Sequence, residues 1–470
     1  MVDNKVLESV YSYIDNHSEE IIKELKDICS IKSISDSTSD VKPFGQGCID
    51  VLNLTLDKGK HHGFETYNYD NYVGGIVLNQ HKEEMIGMWA HLDVVPEQDG
   101  WMSDPYNPIV KDGFLFGRGV SDNKSAAIGG LYILKAFKEL QIPLHHNLQL
   151  FLGTSEETGM GDVEHYVNNY PHPKFSFVPD AGFPGACGEF GRVRYNVISK
   201  KALSKQVKEL QAGNVFNVIP NYAYIVLEDN GLDVSGIPND GYAVTKENGN
   251  VKIEAFGLSK HAAAPDDAIN AIYQLTKVLT TLDLCESDKE IFNFLTSINT
   301  NPYGTFFGID KIDEVSGQTV SSGTVLRMKD GIVTLTNDCR HCVTDTNERV
   351  LDSIKAVCEN HDFTMEVIEA SKPYYLDKNS LSVQTITKTY QEYMNQPEAE
   401  MFVMKGGTYA GQIPNAVATG VCLPGMTPIP DYIQPGHGSV HQPDEMLSID
   451  GYIEGIKLLA TMILKVDAVL

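Results

Sequence analysis

Apolar residues recur along this chain with two alternating periods. Behind Asp3 and Asn4, the residues Val6, Leu7, Val10, Ile14, Ile21, Ile22, Leu25 and Ile28 fall at helical spacing, which predicts one or two opening helices. The short runs GGIVLNQ (74–80) and MIGMWA (85–90) read as adjacent strands, SAAIGGLYILKAFKEL (125–140) as a helix, and NLQLFLG (147–153) and FSFVP (175–179) as further strands. Strands that alternate with helices predict an α/β fold with a doubly wound mixed sheet. In such sheets ligands bind beyond the carboxyl ends of the strands.

The pattern changes after about residue 182. RVRYNVISKK, NYAYIVLE, NVKIEAFG and GIVTLTNDC alternate as half-buried strands do, and AINAIYQLTKVLTTL and ERVLDSIKAVCEN are helical. Beyond Pro373 and Asp377 the helical SVQTITKTYQEYM, the strand-like AEMFVM and a helical C-terminus, IEGIKLLATMILKV, return to the first texture. The expected organisation is a discontinuous catalytic domain, 1–182 and 378–470, interrupted by an inserted α+β lid and substrate-binding domain, 183–377.

Length agrees with two domains, since 470 residues exceed the size at which one core usually stops growing. A net charge of −26 repels phosphate backbones and anionic lipid surfaces, so neither nucleic acid nor membrane is an expected partner. The start MVDNKVLESV has no basic and apolar leader, and eight cysteines are too dilute for a disulfide framework, which together suggest a cytoplasmic protein. Cys339 and Cys342 have CxxC spacing but no second pair, and read as ordinary thiols.

Chemistry concentrates where the first-domain strands stop. His91 and Asp93 follow one strand, Glu156 and Glu157 another, Asp180 a third, and Asp122 precedes the 125–140 helix. Singly, these are a capping pair, a solvated helix start, an N-cap and a turn residue. Together they set five carboxylates and a histidine on one rim, and carboxylates so crowded repel unless cations offset them. Histidine with carboxylates suits zinc, cobalt or manganese, and the lack of cysteine speaks against a purely structural zinc site. A shared carboxylate such as Asp122 could serve two ions ~3.5–4 Å apart.

HLDVVP, GRGVSDNK, SEETG and the aspartate of VPDAGF, followed by GLSKHAAAP, MKGGTYA and HQPDE, resemble in order and separation the M20 family of metallopeptidases over nearly the whole chain. The long insertion is similar to that of the PepV-type dipeptidases, an Xaa-His dipeptidase or carnosinase-like group of monomers. The resemblance implies two zinc ions, with His91 and Asp180 at one, Glu157 and His441 at the other, and Asp122 shared. His437 competes with His441 on spacing, and the HQPDE match selects His441. Asp93 would orient His91, Glu156 would act as general base on a water between the ions, and His261 would donate to the oxyanion. Arg340 and Asn217 would bind substrate, as would Gly407 in the glycine-rich KGGTYA.

Two departures, Gly411 after GTYA and His341–Cys342 after Arg340, fall on the substrate side of the pattern. The expected reaction is hydrolysis of dipeptides or short peptides with a free C-terminal carboxylate. The alternative on the same fold is deacylation of acetyl or succinyl amino acids. A non-catalytic peptide- or metal-binding protein would have no use for Glu156.

Overall fold

The opening periodicity resolves into two helices, Asn4–Asn16 and Ser18–Cys29, the first capped by the Asp3 carboxylate, which accepts from the Lys5 amide at 2.9 Å. They belong to a computed structural model that describes residues 2–470 and divides into two units. The first unit runs to Gly188 and resumes over Leu376–Phe402 and Gly407–Leu470; the second is Glu189–Tyr375 with Val403–Gly406. These borders differ from those expected at 182 and 378. Residues 183–188 stay with the first unit because Ala186 pairs with Ala418 in its sheet. Val403–Gly406 goes with the second, where the Lys405 carbonyl accepts from the Arg340 guanidinium.

The sheet of the first unit runs Glu65–Tyr69, Val73–Leu78, Asn147–Gly153, Met85–His91, Phe175–Val178, Ala416–Ala418, Ala186–Glu189. Its central pairs are parallel and its outer pairs antiparallel, so the sheet is mixed. Val73–Leu78 and Met85–His91 are therefore not neighbours, contrary to the sequence expectation. The helix Lys124–Glu139 carries the chain across the sheet, and Asn147–Gly153 returns between them, parallel to Met85–His91.

Helices cover both faces of this sheet. On one, Gly130 of the Lys124–Glu139 helix meets Leu150, and Leu52 and Leu56 of the helix Gln46–His61 lie over Gly74. On the other, Tyr166 of the helix Gly161–Asn169 packs edge-on against Trp89 and Phe151, which stack at 4.1 Å. Such ring pairs contribute about 0.5–1.5 kcal/mol beyond area burial, so they fix the strands that end at His91 and Gly153. The Lys124–Glu139 helix is buried from Lys124 to Phe137, enclosed on its outer side by the N-terminal helices and Ile449–Asp467. No helix among the described residues is long and apolar enough to cross a membrane.

The second unit is an antiparallel sheet in the order Tyr242–Glu247, Asn250–Phe256, Tyr222–Glu228, Val207–Ala212, Val320–Lys329, Ile332–His341, Gly191–Ser199, Phe363–Ser371. Burial alternates strictly along Gly191–Ser199, with Val193, Tyr195 and Val197 facing a core shared with the helices Ala271–Leu279, Glu286–Ile298 and Asn347–Asn360. Cys339 and Cys342 are buried and free, as are most of the other cysteines.

Candidate metal centre

His91 is the last residue of a buried strand, 1 % exposed, and pairs in parallel register with Gly153. Chain direction thus brings the turn after Gly153, with Glu156 and Glu157, to the rim where His91 ends. The His91 Nδ1 lies 2.9 Å from the Asp93 carbonyl oxygen, which turns Nε2 outward, 3.0 Å from Asp122 Oδ1 and 3.8 Å from Asp180 Oδ2. The Asp93 carboxylate is farther from Nδ1, at 3.5 Å. The sequence reading gave Asp93 the role of orienting His91. Its carboxylate also accepts from the amides of Glu156 (3.0 Å) and Glu157 (3.1 Å) and from the Ser35 hydroxyl (3.1 Å). Asp93 thus grips the ring with its backbone and the glutamate turn with its side chain.

Asp122 faces two imidazoles at once. Oδ1 is 3.0 Å from His91 Nε2, and Oδ2 is 3.0 Å from His441 Nε2. His441 Nε2 is also 3.0 Å from Glu157 Oε1. Two triads result, His91–Asp122–Asp180 and Asp122–Glu157–His441, each with ligand atoms within 4.8 Å of one another and both sharing Asp122. His437 belongs to neither triad; its Nδ1 lies 2.6 Å from Asp444. His441 has φ +63°, a left-handed conformation uncommon outside glycine and one that clusters at functional positions.

Electrostatics follow from this crowding. Burial opposes a charge on His91, but the Asp122 and Asp93 hydrogen bonds outweigh it and hold the imidazole well above its usual range. Asp122 and Glu157 together push His441 up to about 10. Burial would raise Asp122, yet the two imidazoles hold it well below the usual carboxylate range. At Glu156 the charge of His91 is outweighed: desolvation first, then the Asp180 carboxylate, lifts it well above an ordinary glutamate. The donor set, imidazole Nε2 and carboxylate oxygens with one shared carboxylate, fits a pair of divalent cations.

Three supporting residues escaped the sequence reading. Asn123 does not cap its helix; its amide donates to the Pro179 carbonyl (2.7 Å) and Asp180 (3.0 Å), while its oxygen accepts from the His91 amide (3.2 Å). Asp162 accepts from the Thr154 and Ser155 amides and from the Tyr409 hydroxyl, anchoring the turn ahead of Glu156. Glu445 accepts from the amides of Ser121 and Asp122. Asn123, Tyr409 and Glu445 stand inside GRGVSDNK, KGGTYA and HQPDE, so the motifs marked their location though not their work.

The second unit holds Asn217, His261 and Arg340. Val218 pairs with His261 in a two-stranded ladder, and the Asn217 carbonyl accepts from the Ala262 amide at 2.8 Å. The His261 Nδ1 accepts from the Ala263 amide at 3.1 Å, so in the neutral ring the proton sits on Nε2. Although His261 is exposed, desolvation by its surroundings, and then the charge of nearby Arg340, lowers its pKa and favours the neutral ring. Arg340 is 4 % exposed, not a surface strand arginine, with Nε 2.9 Å from Asp338 and Nη1 on the Lys405 carbonyl. Gly407 is exposed in the first unit, next to Thr408, whose hydroxyl accepts from the Ala410 amide at 3.1 Å.

Residues 87–465 match the sequence pattern of peptidase family M20/M25/M40. The chain is 30% identical over 465 residues to "Putative dipeptidase YtjP" of Bacillus subtilis (strain 168), covering 95% of this chain and 96% of that one. It is 27% identical over 465 residues to the Beta-Ala-Xaa dipeptidase of Lactobacillus delbrueckii subsp. lactis, covering 94% and 95%. Its fold is similar to human carnosine dipeptidase 1, with a TM-score of 0.57 and 16% identity over 98% of this chain and 99% of that one.

Proposed function

Because the chain belongs to peptidase family M20/M25/M40, we propose that it is a two-zinc dipeptidase, cleaving the peptide bond of dipeptides and short peptides with a free C-terminal carboxylate. The protein is a hydrolase of a metal-dependent family, and the Bacillus and Lactobacillus relatives are named as a putative dipeptidase and a Beta-Ala-Xaa dipeptidase. One observation carries the two-ion reading: the oxygens of Asp122 face different histidines at the same 3.0 Å, each histidine backed by a further carboxylate. His91 and Asp180 would hold one ion, Glu157 and His441 the other, with Asp122 between them.

The bound ions supply polarisation of the scissile carbonyl and acidification of the attacking water. Glu156 then takes the water proton and delivers it to the departing amine, so one carboxylate acts first as base and then as acid. Burial of its carboxyl group favours the protonated form, which suits the second half of that task. His261, neutral and protonated on Nε2, is a donor for the carbonyl oxygen as negative charge develops on it. Arg340 has N–H groups left after meeting Asp338 and Lys405, and a planar fork fits a substrate carboxylate. Asn217 and Gly407 complete the proposed substrate contacts.

The test is a substrate panel. Zinc-, cobalt- and manganese-loaded protein is offered dipeptides, including a β-alanyl one, beside acetyl and succinyl amino acids. Hydrolysis of the dipeptides is expected. Cleavage confined to the acylated amino acids would replace this reading with a deacylase.

A further inference from the structure

Glu445 is fully buried, 0 % exposed, and lies four residues beyond His441. Its Oε1 accepts from the backbone amides of Ser121 (2.9 Å) and Asp122 (3.0 Å). Its Oε2 accepts from the Gly119 amide (3.1 Å) and from Arg118 Nη1 (2.8 Å). The backbone of Glu445 is anchored as well: its carbonyl accepts from the Gly117 amide at 3.0 Å, and the next residue, Met446, pairs with Phe116 in a small three-stranded sheet.

The ion pair with Arg118 does not by itself explain a carboxylate here. A buried ion pair is often no better than a well-packed apolar one, and Arg118 leaves Nε and Nη2 without hydrogen-bond partners. The arrangement achieves something an apolar side chain cannot. One rigid anion grips three amides of the loop that ends in Asp122, and it belongs to the segment that carries His441.

We infer that Glu445 is a positioning residue for the metal pair: it fixes the Asp122 loop against the His441 segment, so that the two oxygens of Asp122 face their two histidines before any ion binds. The inference rests on the two-ion reading above. It assigns Glu445 no contact with substrate or ion; its effect passes through the Asp122 backbone. Partners that orient metal ligands are typically worth 10–100-fold in metal affinity.

The test compares wild type with Glu445→Gln, which keeps the shape but sets an amide nitrogen against amide donors. Equilibrium dialysis with zinc should give two ions per wild-type chain, and in the variant at least one bound 10–100-fold more weakly. The cobalt-loaded variant should also show an altered visible absorption spectrum, a signature that mere loss of stability would not produce. A folded variant that binds both ions with wild-type affinity and spectrum overturns the inference and leaves the two-ion reading standing. Fewer than two ions on wild type overturns the two-ion reading itself. Should the variant not fold, hydrogen exchange on wild type decides. The Gly119, Ser121 and Asp122 amides should exchange slowly in chelator-treated protein and no slower with zinc, whereas fast exchange that slows only with zinc overturns the inference.

Discussion

In the metal-free protein the imidazoles of His91 and His441 carry the positive charge that the surrounding carboxylates require. His441 is pushed up to about 10 by Asp122 and Glu157, so at neutral pH it holds a proton on an atom an ion needs. Metal must expel that proton, and zinc affinity should therefore rise with pH across the neutral range. Calorimetric titration at pH 7 in buffers of different ionisation enthalpy should find at least one proton released per chain; none released would contradict the pairing. For the metal-free fold the sign is opposite. The folded pKa of His441 lies above its unfolded value of about 6.5, so its stabilisation is complete below that value and fades as pH rises through about 10. Glu156 is separable from this competition, since it is assigned to the proton and not to a ligand. Glu156→Gln should keep zinc bound by elemental analysis while kcat falls about 10²–10⁴-fold, and normal turnover would remove Glu156 from the mechanism. His261→Ala should lower kcat more than it raises KM, because its proposed contact forms in the transition state; a change in KM alone would make it a binding residue.

The strand Asn147–Gly153 and the turn after it show how an element delivers such residues. Gly153 ends the strand where the Tyr409 hydroxyl comes down to Asp162, and a Cβ at Gly153 would stand 1.9 Å from that oxygen. Gly153→Ala should therefore displace Tyr409 and the amides of Thr154 and Ser155, destabilising the fold by about 1–3 kcal/mol, as overpacking does. Urea unfolding measures it, and wild-type stability would show that the junction yields freely. Elements of this kind were legible in the sequence. NLQLFLG matches its strand residue for residue, and the rim positions follow from where apolar runs stop. The order of strands was less so, because Val73–Leu78 and Met85–His91 each read as a strand, but only the crossover helix determines that a third lies between them. His441 sits in a segment with no period at all, so it was found through the HQPDE motif. Asn123 and Glu445 work largely by hydrogen bonds to the backbone of distant residues, and Asp162 by hydrogen bonds to the amides of the turn before it; a partner that is only an amide leaves no mark on the sequence.

At the scale of the first unit, the site is assembled from segments far apart in the chain that hydrogen bonds join to one another. Asp122 and His441 lie within 3.0 Å, Arg118 meets Glu445 at 2.8 Å, and Asn123 ties Asp180 to the His91 strand. Arg118, Glu445 and Asn123 are not metal ligands, and their contacts hold these segments together, so the fold should not depend on metal as a zinc finger does. Chelation should therefore abolish hydrolysis while leaving the far-UV circular dichroism spectrum unchanged. The melting temperature should still fall, because ions that bind only the native state add RT ln(1 + [L]/Kd), about 2.7 kcal/mol at a hundredfold excess over Kd. Restoring zinc should recover both activity and melting temperature. Collapse of the dichroism spectrum on chelation would mean that the carboxylates converge only around the ions.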